Sequence, residues 1–460
     1  MNVDTAADLL PQIVTEVPGP RSRELAARLR AVECPDTTYL GEDFPVFWQR
    51  GAGANVWDED DNRYVDLTAA FGVCALGHGH PVQRAAMRQQ AERLVHAMGD
   101  VHPTRLKVEV AEELRRTAPG DLGVALFASS GSDAIESALK TCAIATGRPG
   151  AVAFEGAYHG LGYGALALTW RQHFRAPFLS QLNPDVVHLP FPRSSGPEVR
   201  GHSQRQEAAK AEDVLARLDV LLGSAAGERI GAVFVEPILG RGGVVVPAAG
   251  FLQGLREICT RRSRLLVADE ILTGLGRTGR WFACEHESVV PDLLCVGKSL
   301  AGGLPLSACL GTPQVMEAWE RSQGEARHTQ TFLGNPLACA VARATLEILR
   351  REEWPAQIAA RGAEMGTDLA TALENTSGIG AIRGRGFLWG IECLTRGGKP
   401  DGARASAVVR AALGRGVILL ASGDRGNVLE LVPPFVLGPA QWRSARDLLG
   451  ELLARIPPRA

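Results

Sequence analysis

The sequence predicts an α/β protein: a large domain with a mostly parallel central sheet covered by helices, followed by a smaller C-terminal α/β domain. The first observation is a series of short apolar segments: GVALFA (123–128), AVAF (151–154), VVHL (186–189), AVFVEP (232–237), LLVADE (265–270) and LLCVG (293–297). Most are continuously apolar, which is typical of parallel strands buried on both faces. The second observation is that helical stretches separate them, and strand–helix–strand repetition implies a doubly covered sheet.

The pattern divides the chain into three parts: an N-terminal arm and small-domain segment (1–75), a large domain (76–345) and a C-terminal small domain (346–460). The first part is Pro-rich, with one predicted helix from Arg21 onward and a hairpin in NVWDEDDNRYVDL. In the large domain, helices are predicted at 81–96 and 104–117. The last part combines a long helix, a hairpin in IRGRGFLWGIEC, a helix over 403–415 and the segment VLELVPP.

Composition excludes several classes of partner. The 460 residues include 49 Lys+Arg and 51 Asp+Glu, and 45% of the chain is hydrophobic. This balance is ordinary for a globular protein and argues against nucleic acid or a membrane surface as a partner bound through charge. No apolar run approaches the roughly 18 residues that span a bilayer. The first 19 residues lack the layout of a signal peptide, and nine scattered cysteines form no CxxC pair, so we expect a reducing cytoplasm.

Lysine is rare in this chain. Only five of the 49 basic residues are lysines, namely Lys107, Lys140, Lys210, Lys298 and Lys399. Lys298 follows an apolar strand and begins KSLAGGLPLSA, a weakly charged setting in which burial would depress the pKa of the amine. Such an amine can act as a nucleophile or a base, which Arg cannot do because it stays protonated. The alternative is a solvated surface Lys, for which this chain would more often use Arg.

Three strands end in residues that can carry chemistry. Glu236 ends AVFVE, Asp269 ends LLVAD, and Lys298 follows LLCVG. In open α/β sheets ligands bind beyond the carboxyl ends of the strands, so these side chains are expected to converge at one edge. Any one of them alone is better explained as a polar strand end.

Two turns complete this candidate site. SSGSDAIESALK follows a strand and opens a helix, so Gly131 and Ser132 could hold an anion such as a phosphate with free backbone N–H groups. A plain helix cap from Ser130 explains the same text. GAYHG places Tyr158 and His159 at the same edge, available to stack on a planar ligand. The alternatives are packing for Tyr158 and a hydrogen bond within the loop for His159. His78 and His80 lack a third ligand, so no metal site is predicted.

A phosphate cradle, a stacking residue, a carboxylate and a buried Lys together match pyridoxal 5'-phosphate. This cofactor needs its phosphate held, its pyridine nitrogen kept protonated by an acidic partner, and its aldehyde captured as a Schiff base by a Lys. No metal or nicotinamide chemistry uses all four features.

From about residue 37 to the end, the chain resembles the class III pyridoxal-phosphate aminotransferases, the ornithine and 4-aminobutyrate aminotransferase group with fold type I. The matching segments are NVWDEDDNRYVDL, LGHGHP, SSGSDAIESALK, GAYHG, VEPI, DEILTGLGRTG, VGKSLAGGLPLSA, TQTFLGNPLACA, RGRGFLWGIE and NVLELVPP. Their order and spacing together are specific to this group. The resemblance implies transfer of an amino group from an amine or amino acid, including ω-amino donors, to a 2-oxo acid.

The resemblance also implies roles for individual residues. Lys298 would form the Schiff base and then carry the proton, and Asp269 would pair with the pyridine nitrogen. Gly131 and Ser132 would hold the phosphate. The remaining cofactor contacts that it implies are Tyr158 with His159 at the ring, Ile271 on the opposite ring face, Glu236 near the phenolic side, and Thr331 on the phosphate of the other subunit of a homodimer with shared active sites.

The chain departs from the 4-aminobutyrate type at two positions whose charges look exchanged. EPILGRGG carries Arg241 where that type has a gating Glu, and NVLELVPP carries Glu430 where it has a carboxylate-binding Arg. We hypothesise that Arg241 and Glu430 face each other, with Arg241 or no residue binding a substrate carboxylate and Glu430 receiving a distal amine or hydroxyl. A structural salt bridge is the alternative. Phe71 and Trp170 are further candidate substrate contacts, and Leu272 replaces a Gln found in some relatives.

Two other functions remain open. An amino-acid or aminolactam racemase or epimerase of the same family would use the same cofactor residues but return the proton to Cα from the opposite face. A catalytically silent binding or structural protein on this fold is disfavoured by the presence of both Lys298 and Asp269.

Overall fold

The structure is a computed structural model that describes residues 9–41, 43–194, 199–200 and 209–460. Residues 1–8, which belong to the segment compared with a signal peptide, lie outside it. The described strands are β1 (Trp48–Ala52), β2 (Asn55–Asp58), β3 (Arg63–Asp66), β4 (Val124–Ala128), β5 (Gly150–Phe154), β6 (Val186–Leu189), β7 (Val199–Arg200), β8 (Ile230–Val235), β9 (Leu265–Asp269), β10 (Leu293–Val296), β11 (Ser307–Gly311), β12 (Ile379–Arg385), β13 (Leu388–Cys393), β14 (Val417–Ile418), β15 (Leu420–Ser422) and β16 (Val428–Leu431).

The described helices alternate with these strands through the middle of the chain. They are α1 (Pro20–Val32), α2 (Ala69–Gly72), α3 (Pro81–Ala91), α4 (Arg105–Thr117), α5 (Gly131–Thr146), α6 (Tyr163–Leu168), α7 (Gln172–Arg175), α8 (Ala211–Leu222), α9 (Phe251–Arg261), α10 (Pro313–Met316), α11 (Pro336–Arg351), α12 (Trp354–Leu373), α13 (Gly402–Gly414) and α14 (Pro439–Arg455). Four short 3₁₀ helices connect them at Ala176–Gln181, Ala226–Arg229, Ala283–Glu287 and Lys298–Ala301.

The central sheet has seven strands in the order β4-β11-β10-β9-β8-β5-β6. Strands β10, β9, β8, β5 and β6 are mutually parallel, whereas β11 is antiparallel to both of its neighbours. The predicted α/β class with a mostly parallel sheet is therefore confirmed. The sequence prediction missed β11, because PLSACLG follows a Gly-rich turn and has few of the β-branched residues that signal a strand.

Both faces of this sheet are buried, which explains the continuously apolar strands. Along β8, Val233 and Val235 belong to one apolar core, while Ala232 and Phe234 belong to the core on the opposite face. Helix α5 lies against β4, β10 and β11 on one side, and α9 lies against β8 and β9. Successive side chains of a strand point to opposite faces, so a strand covered on both sides has no solvent-facing position.

The chain also forms two smaller sheets. The first has the order β1-β2-β3-β14, so the predicted N-terminal hairpin pairs in parallel with a strand from the C-terminal part. The second is antiparallel, in the order β15-β16-β13-β12-β7, and contains the predicted hairpin of residues 382–393 as β12 and β13. The C-terminal part of the chain thus forms most of this sheet, and β7 from the middle of the chain adds a short edge strand.

Two predicted helix bounds shift. Helix α3 ends at Ala91 rather than at residue 96. Beyond it, the Asn335 side chain donates a hydrogen bond to the Val95 carbonyl at 3.1 Å, and this contact holds the following residues outside the helix. The helix predicted at 104–117 begins at Arg105. Across the described parts of the chain, no helix has the length and apolar character needed to cross a bilayer.

Candidate active site

A cavity of about 480 Å³ lies beyond the carboxyl ends of the parallel strands. Eight of the nine predicted cofactor contacts line it: Gly131, Ser132, Tyr158, His159, Glu236, Asp269, Ile271 and Lys298. These residues come from separate strand–helix units, and the shared sheet edge brings them together. The ninth, Thr331, is exposed and lies outside the cavity of its own chain.

Lys298 follows β10 directly after Gly297 and lines the cavity. Its backbone φ is 35°, a left-handed conformation that is strained for a residue with a Cβ. Burial lowers the pKa of its amine below the ordinary value, although the negative charges of Asp269, Glu236 and Glu430 act in the opposite direction. A larger fraction of the amine is therefore neutral and nucleophilic than for a solvated Lys.

Asp269, the last residue of β9, is held by bonds to both carboxylate oxygens. Nδ1 of His159 lies 2.7 Å from Oδ2, and the Ile271 amide donates to Oδ1 at 3.1 Å. Burial lowers the pKa of His159, but the hydrogen bond and the charge of Asp269 outweigh it, so the pKa is raised. Nε2 of His159 is buried without a hydrogen-bond partner among the described residues.

Glu236 follows β8 and connects two loops at the cavity. Its Oε1 accepts from the Tyr158 amide at 2.8 Å, and its Oε2 accepts from the Gly240 amide at 3.0 Å. Burial raises the pKa of this carboxyl to about 7, with His159 opposing and Asp269 adding to the shift. The side chain thus lines the cavity and also fixes the backbone that carries Tyr158.

The N-terminus of α5 forms the opposite wall. The Ser130 side chain accepts from the Asp133 amide at 3.2 Å, so the predicted helix cap is present alongside the exposed amides of the first turn. A Cβ added to Gly131 would lie 3.0 Å from Ile271. Ser307 of β11 donates to the Ser130 carbonyl at 2.5 Å, so the strand that the sequence prediction missed helps to place this turn.

Gly160 and Ser132 approach each other closely at the same wall. Gly160 has φ 126°, and a Cβ there would lie 2.6 Å from Oγ of Ser132. That hydroxyl accepts from the Gly162 amide at 3.0 Å. Only Gly fits this position, because a side chain would meet both steric and conformational strain.

No ion pair joins Arg241 to Glu430 among the described residues. The Arg241 guanidinium lies over the rings of Tyr158 and Phe174, at 5.1 and 5.3 Å from their centroids. Burial raises the pKa of Glu430, opposed by the nearby Ser422 hydroxyl and the charges of Lys298 and Arg241. The two charged groups therefore influence the same region without neutralising each other directly.

None of the four candidate substrate residues, Phe71, Trp170, Arg241 and Glu430, is among the residues that line the cavity. Phe71 is 62% exposed, and Trp170 is half-buried with its ring centroid 5.4 Å from that of His188. The residues that line the cavity but were not predicted as site residues are Val73, Ser129, Ser130, Gly160, Leu161, Leu272 and the segment 303–306. Ser129 belongs to SSGSD, the segment that contains Gly131, and residues 303–306 follow soon after Lys298. Their closeness in sequence to predicted site residues could have indicated both.

The two histidines of the GHGHP segment, His78 and His80, differ in their surroundings. Nε2 of His78 binds Oδ2 of Asp66 at 2.8 Å. Within the described parts of the chain, no group of three or more His, Cys, Asp or Glu side chains could hold a metal ion.

Known proteins are similar in sequence to this chain along most of its length. The family model for class-III aminotransferases matches residues 39–453. An acetylornithine aminotransferase of Methanopyrus kandleri is 36% identical over 89% of this chain and 95% of its own. A 4-aminobutyrate aminotransferase of Mycobacterium leprae is 35% identical over 98% and 99%. An alanine/serine racemase of Pyrococcus horikoshii is 34% identical over 95% and 92%.

The fold is shared as well. The crystal structure of a Bacillus anthracis aminotransferase superposes with a TM-score of 0.85 at 26% identity, over 95% of this chain and 99% of that one. The family match covers both the large domain and the C-terminal sheet, and it includes every residue of the candidate site. The chain is a member of the class III aminotransferase family.

Proposed function

We propose that this protein is a pyridoxal-phosphate-dependent aminotransferase that moves an amino group from an amine or amino acid, including ω-amino donors, to a 2-oxo acid. One observation carries the proposal: Lys298, with an amine of lowered pKa, and Asp269, with its carboxylate held by His159, line one cavity opposite the amides of a helix N-terminus. Aminotransfer through this cofactor needs each of these groups.

The residues present fit the cofactor. At the phosphate end, the first turn of α5 offers free amides, and the space beside Gly131 is one that a Cβ would fill. At the ring, Tyr158 and Ile271 stand beside the cavity, and Asp269 provides a carboxylate for the pyridine nitrogen. When bound, the cofactor supplies an aldehyde that condenses with amines and a ring that withdraws electrons from the substrate Cα.

The residues of the chain then supply binding and proton transfer. Asp269 keeps the ring nitrogen protonated through a charge-assisted hydrogen bond. Nζ of Lys298 would hold the aldehyde of the cofactor and would become free when a substrate amine takes its place. The free amine would then move the proton from the substrate Cα to the cofactor, a role suited to a lowered pKa.

Arg241 and Glu430 are proposed to read the substrate. The Arg241 guanidinium is exposed and has no carboxylate partner among the described residues, so it is free to bind a substrate carboxylate. Beside Glu430 lies the buried hydroxyl of Ser422, which favours the charged form of the Glu430 carboxyl and so lowers its pKa against the effect of burial. A distal amine or hydroxyl of a donor would satisfy both of these groups.

The active site is proposed to be completed in a homodimer, with Thr331 of each subunit reaching the phosphate in the other. Thr331 is exposed and lies outside its own cavity. Phe332 (61%), the next residue in the chain, is also exposed. So are three large apolar side chains in the segment that follows α3, namely Val95 (54%), Met98 (55%) and Val101 (58%). A surface of this kind marks an interface between proteins. The nine cysteines are all free, in keeping with the cytoplasm as the proposed location.

The test uses the purified protein with pyridoxal phosphate and a panel of amine donors, with pyruvate or 2-oxoglutarate as acceptor. Keto product from the donor and amino product from the acceptor should appear together. Borohydride should fix the cofactor onto the peptide that contains Lys298. A protein that stays colourless with the cofactor, or that borohydride does not label at this peptide, would contradict the proposal.

The racemase relative supports a second candidate, amino-acid racemisation or epimerisation at the same site. The two activities differ in where the proton on Nζ of Lys298 goes. In aminotransfer it would go to the former aldehyde carbon, whereas in racemisation it would stay on Lys298 and a second acidic group would deliver a proton to the opposite face of Cα. Deuterium that enters Cα from heavy water without formation of keto product would favour racemisation, whereas conversion of the cofactor to its amine form favours transfer.

A further inference from the structure

Four consecutive residues beside the cavity adopt a left-handed backbone. Ala69, Ala70, Phe71 and Gly72, the residues of the short element α2, have φ values of 46°, 50°, 61° and 81°, so this element is a left-handed turn and not an ordinary α-helix. Three of them carry a Cβ, and a left-handed turn brings that atom too close to the following carbonyl. A series of such residues persists only where the surroundings hold it, and strain of this kind is concentrated at functional sites.

Asp66 holds the start of this turn. Its Oδ1 accepts from the amide and the hydroxyl of Thr68, at 2.7 and 2.6 Å, and its Oδ2 accepts from the Ala70 amide at 3.2 Å. The same Oδ2 lies 2.8 Å from Nε2 of His78. Asp66 is fully buried, and His78 supplies the cationic partner that is hydrogen-bonded to this carboxylate, while the buried Arg277 interacts with it through charge alone.

The end of the turn lies against Lys298. The Ser299 hydroxyl donates to the Gly72 carbonyl at 3.0 Å, which links the turn to the residue that follows Lys298. A Cβ added to Gly72 would lie 2.9 Å from Cδ1 of Leu272 and 3.7 Å from Cδ of Lys298. The next residue, Val73, lines the cavity. A shift of this turn would therefore change the space available beside the Lys298 side chain.

We propose that the Asp66–His78 pair is a positioning element that keeps the turn 69–72 left-handed and thereby sets the substrate side of the cavity next to Lys298. Neither residue lines the cavity, so each acts through the turn. The inference deepens the proposed aminotransfer, on which its kinetic test rests, by assigning a motif that the cofactor chemistry does not use. In the GHGHP segment, the proposal gives this positioning role to the first histidine, His78.

The central variant is His78→Leu, which leaves Asp66 buried without its partner. His78→Gln is the conservative variant, because its amide can still donate to Oδ2. His80→Ala is the matched control, two residues away in the same motif and with no hydrogen bond to the turn. Ser299→Ala removes the contact at the other end of the turn and serves as a second probe if His78→Leu does not fold.

Two measurements separate positioning from a general loss of structure. Amide hydrogen exchange of the peptide over 67–75, measured without cofactor or substrate, should become faster in His78→Leu and remain close to wild type in His78→Gln and His80→Ala. The KM for the amino donor should rise about tenfold to a hundredfold in His78→Leu, as expected when a site is misplaced by a fraction of an ångström to one ångström. Fixation of the cofactor onto Lys298 by borohydride should be retained.

Unchanged exchange over 67–75 in His78→Leu, or an unchanged donor KM, overturns the proposal. So does a rise in KM that His78→Gln fails to reverse. The exchange experiment does not depend on turnover, so its outcome judges the positioning role even if the wild-type protein shows no aminotransfer, a result that would count against the proposed function alone.

Discussion

Nδ1 of His159 lies 2.7 Å from Oδ2 of Asp269, and both side chains are buried beneath the cavity. The Ile271 amide binds the other carboxylate oxygen at 3.1 Å, so the carboxylate cannot rotate without losing one of these bonds. The raised pKa of His159 favours its charged form, which in turn stabilises the negative charge on Asp269. A carboxylate held in this way is preorganised to bind a cationic ring nitrogen.

Replacement of Asp269 by Asn tests this relationship. The amide keeps the shape of the side chain but carries no charge, so it cannot sustain a protonated ring nitrogen. We expect kcat/KM for aminotransfer to fall by about 10²–10³-fold, the usual effect of removing one preorganised electrostatic group. Asp185→Asn, which removes a surface partner of Arg229, is the control and should keep full activity. Equal activity of the two variants would contradict the assigned role.

The variant Lys298→Arg separates the positive charge of the Lys298 side chain from its reactivity as an amine. Arg keeps a positive charge at this position but stays protonated, so it can neither bind an aldehyde nor move a proton. Aminotransfer should drop by at least about 10²–10⁴-fold, and borohydride should no longer fix the cofactor to this peptide. Lys210→Ala, at an exposed position, should leave both measurements unchanged. Labelling of the Lys298→Arg protein at another lysine would show that the Schiff base forms elsewhere.

Exchange of charge at Glu430 should change which donors are used. Glu430→Arg places two cations near the substrate side, with Arg241 already present, so donors with a distal amine should be repelled and dicarboxylic donors favoured. A panel of donors that differ only in the distal group, measured as ratios of kcat/KM, reports this change. The double variant Arg241→Glu/Glu430→Arg is the control for total charge. Donor ratios that match the wild type in Glu430→Arg would exclude a substrate-reading role.

Gly131→Ala tests the phosphate cradle. The new methyl group would lie 3.0 Å from Ile271 and occupy space at the first turn of α5. Overpacking of this kind costs about 1–3 kcal/mol, so the affinity for pyridoxal phosphate should fall by a corresponding factor. Titration of the cofactor followed by absorbance measures it. Gly414→Ala, where a Cβ would meet no atom within 4 Å, should bind as wild type does. Unchanged affinity in Gly131→Ala would place the phosphate elsewhere.

The Asp66–His78 pair should make the free energy of unfolding fall as the pH becomes alkaline. Burial lowers the pKa of His78, but the hydrogen bond to Asp66 and the neighbouring Cys74 outweigh it and raise the pKa from 6.5 to about 10. The folded state therefore binds the proton more tightly than the unfolded state does. The stabilisation is fully present below about pH 6.5 and is lost as pH rises towards 10, at about 1.4 kcal/mol per unit of pKa difference.

Urea unfolding of the wild type and His78→Gln between pH 6 and pH 10 measures this effect. The difference in the free energy of unfolding should be largest at the acidic end of the range and should shrink towards pH 10. A difference that stays constant across the range would show that the stability contributed by His78 does not come from its charge.

The sequence by itself determined the α/β class, the six parallel or edge strands that it named, and the positions of Glu236, Asp269 and Lys298 at strand ends. These features are local: a continuously apolar segment of four to eight residues and the residue that ends it are visible without knowledge of the partners. Conformational rules for parallel sheets then imply that such ends share one edge. The family likeness came from the same local motifs.

Only the tertiary structure decided how distant segments meet. It inserted β11 between β4 and β10, paired β3 with β14, and laid Arg241 over two aromatic rings instead of against Glu430. It also held residues 69–72 left-handed through Asp66 and His78. None of these follows from local propensity, because each depends on the packing and hydrogen bonds of residues far apart in the chain, which outweigh the preference of any single residue.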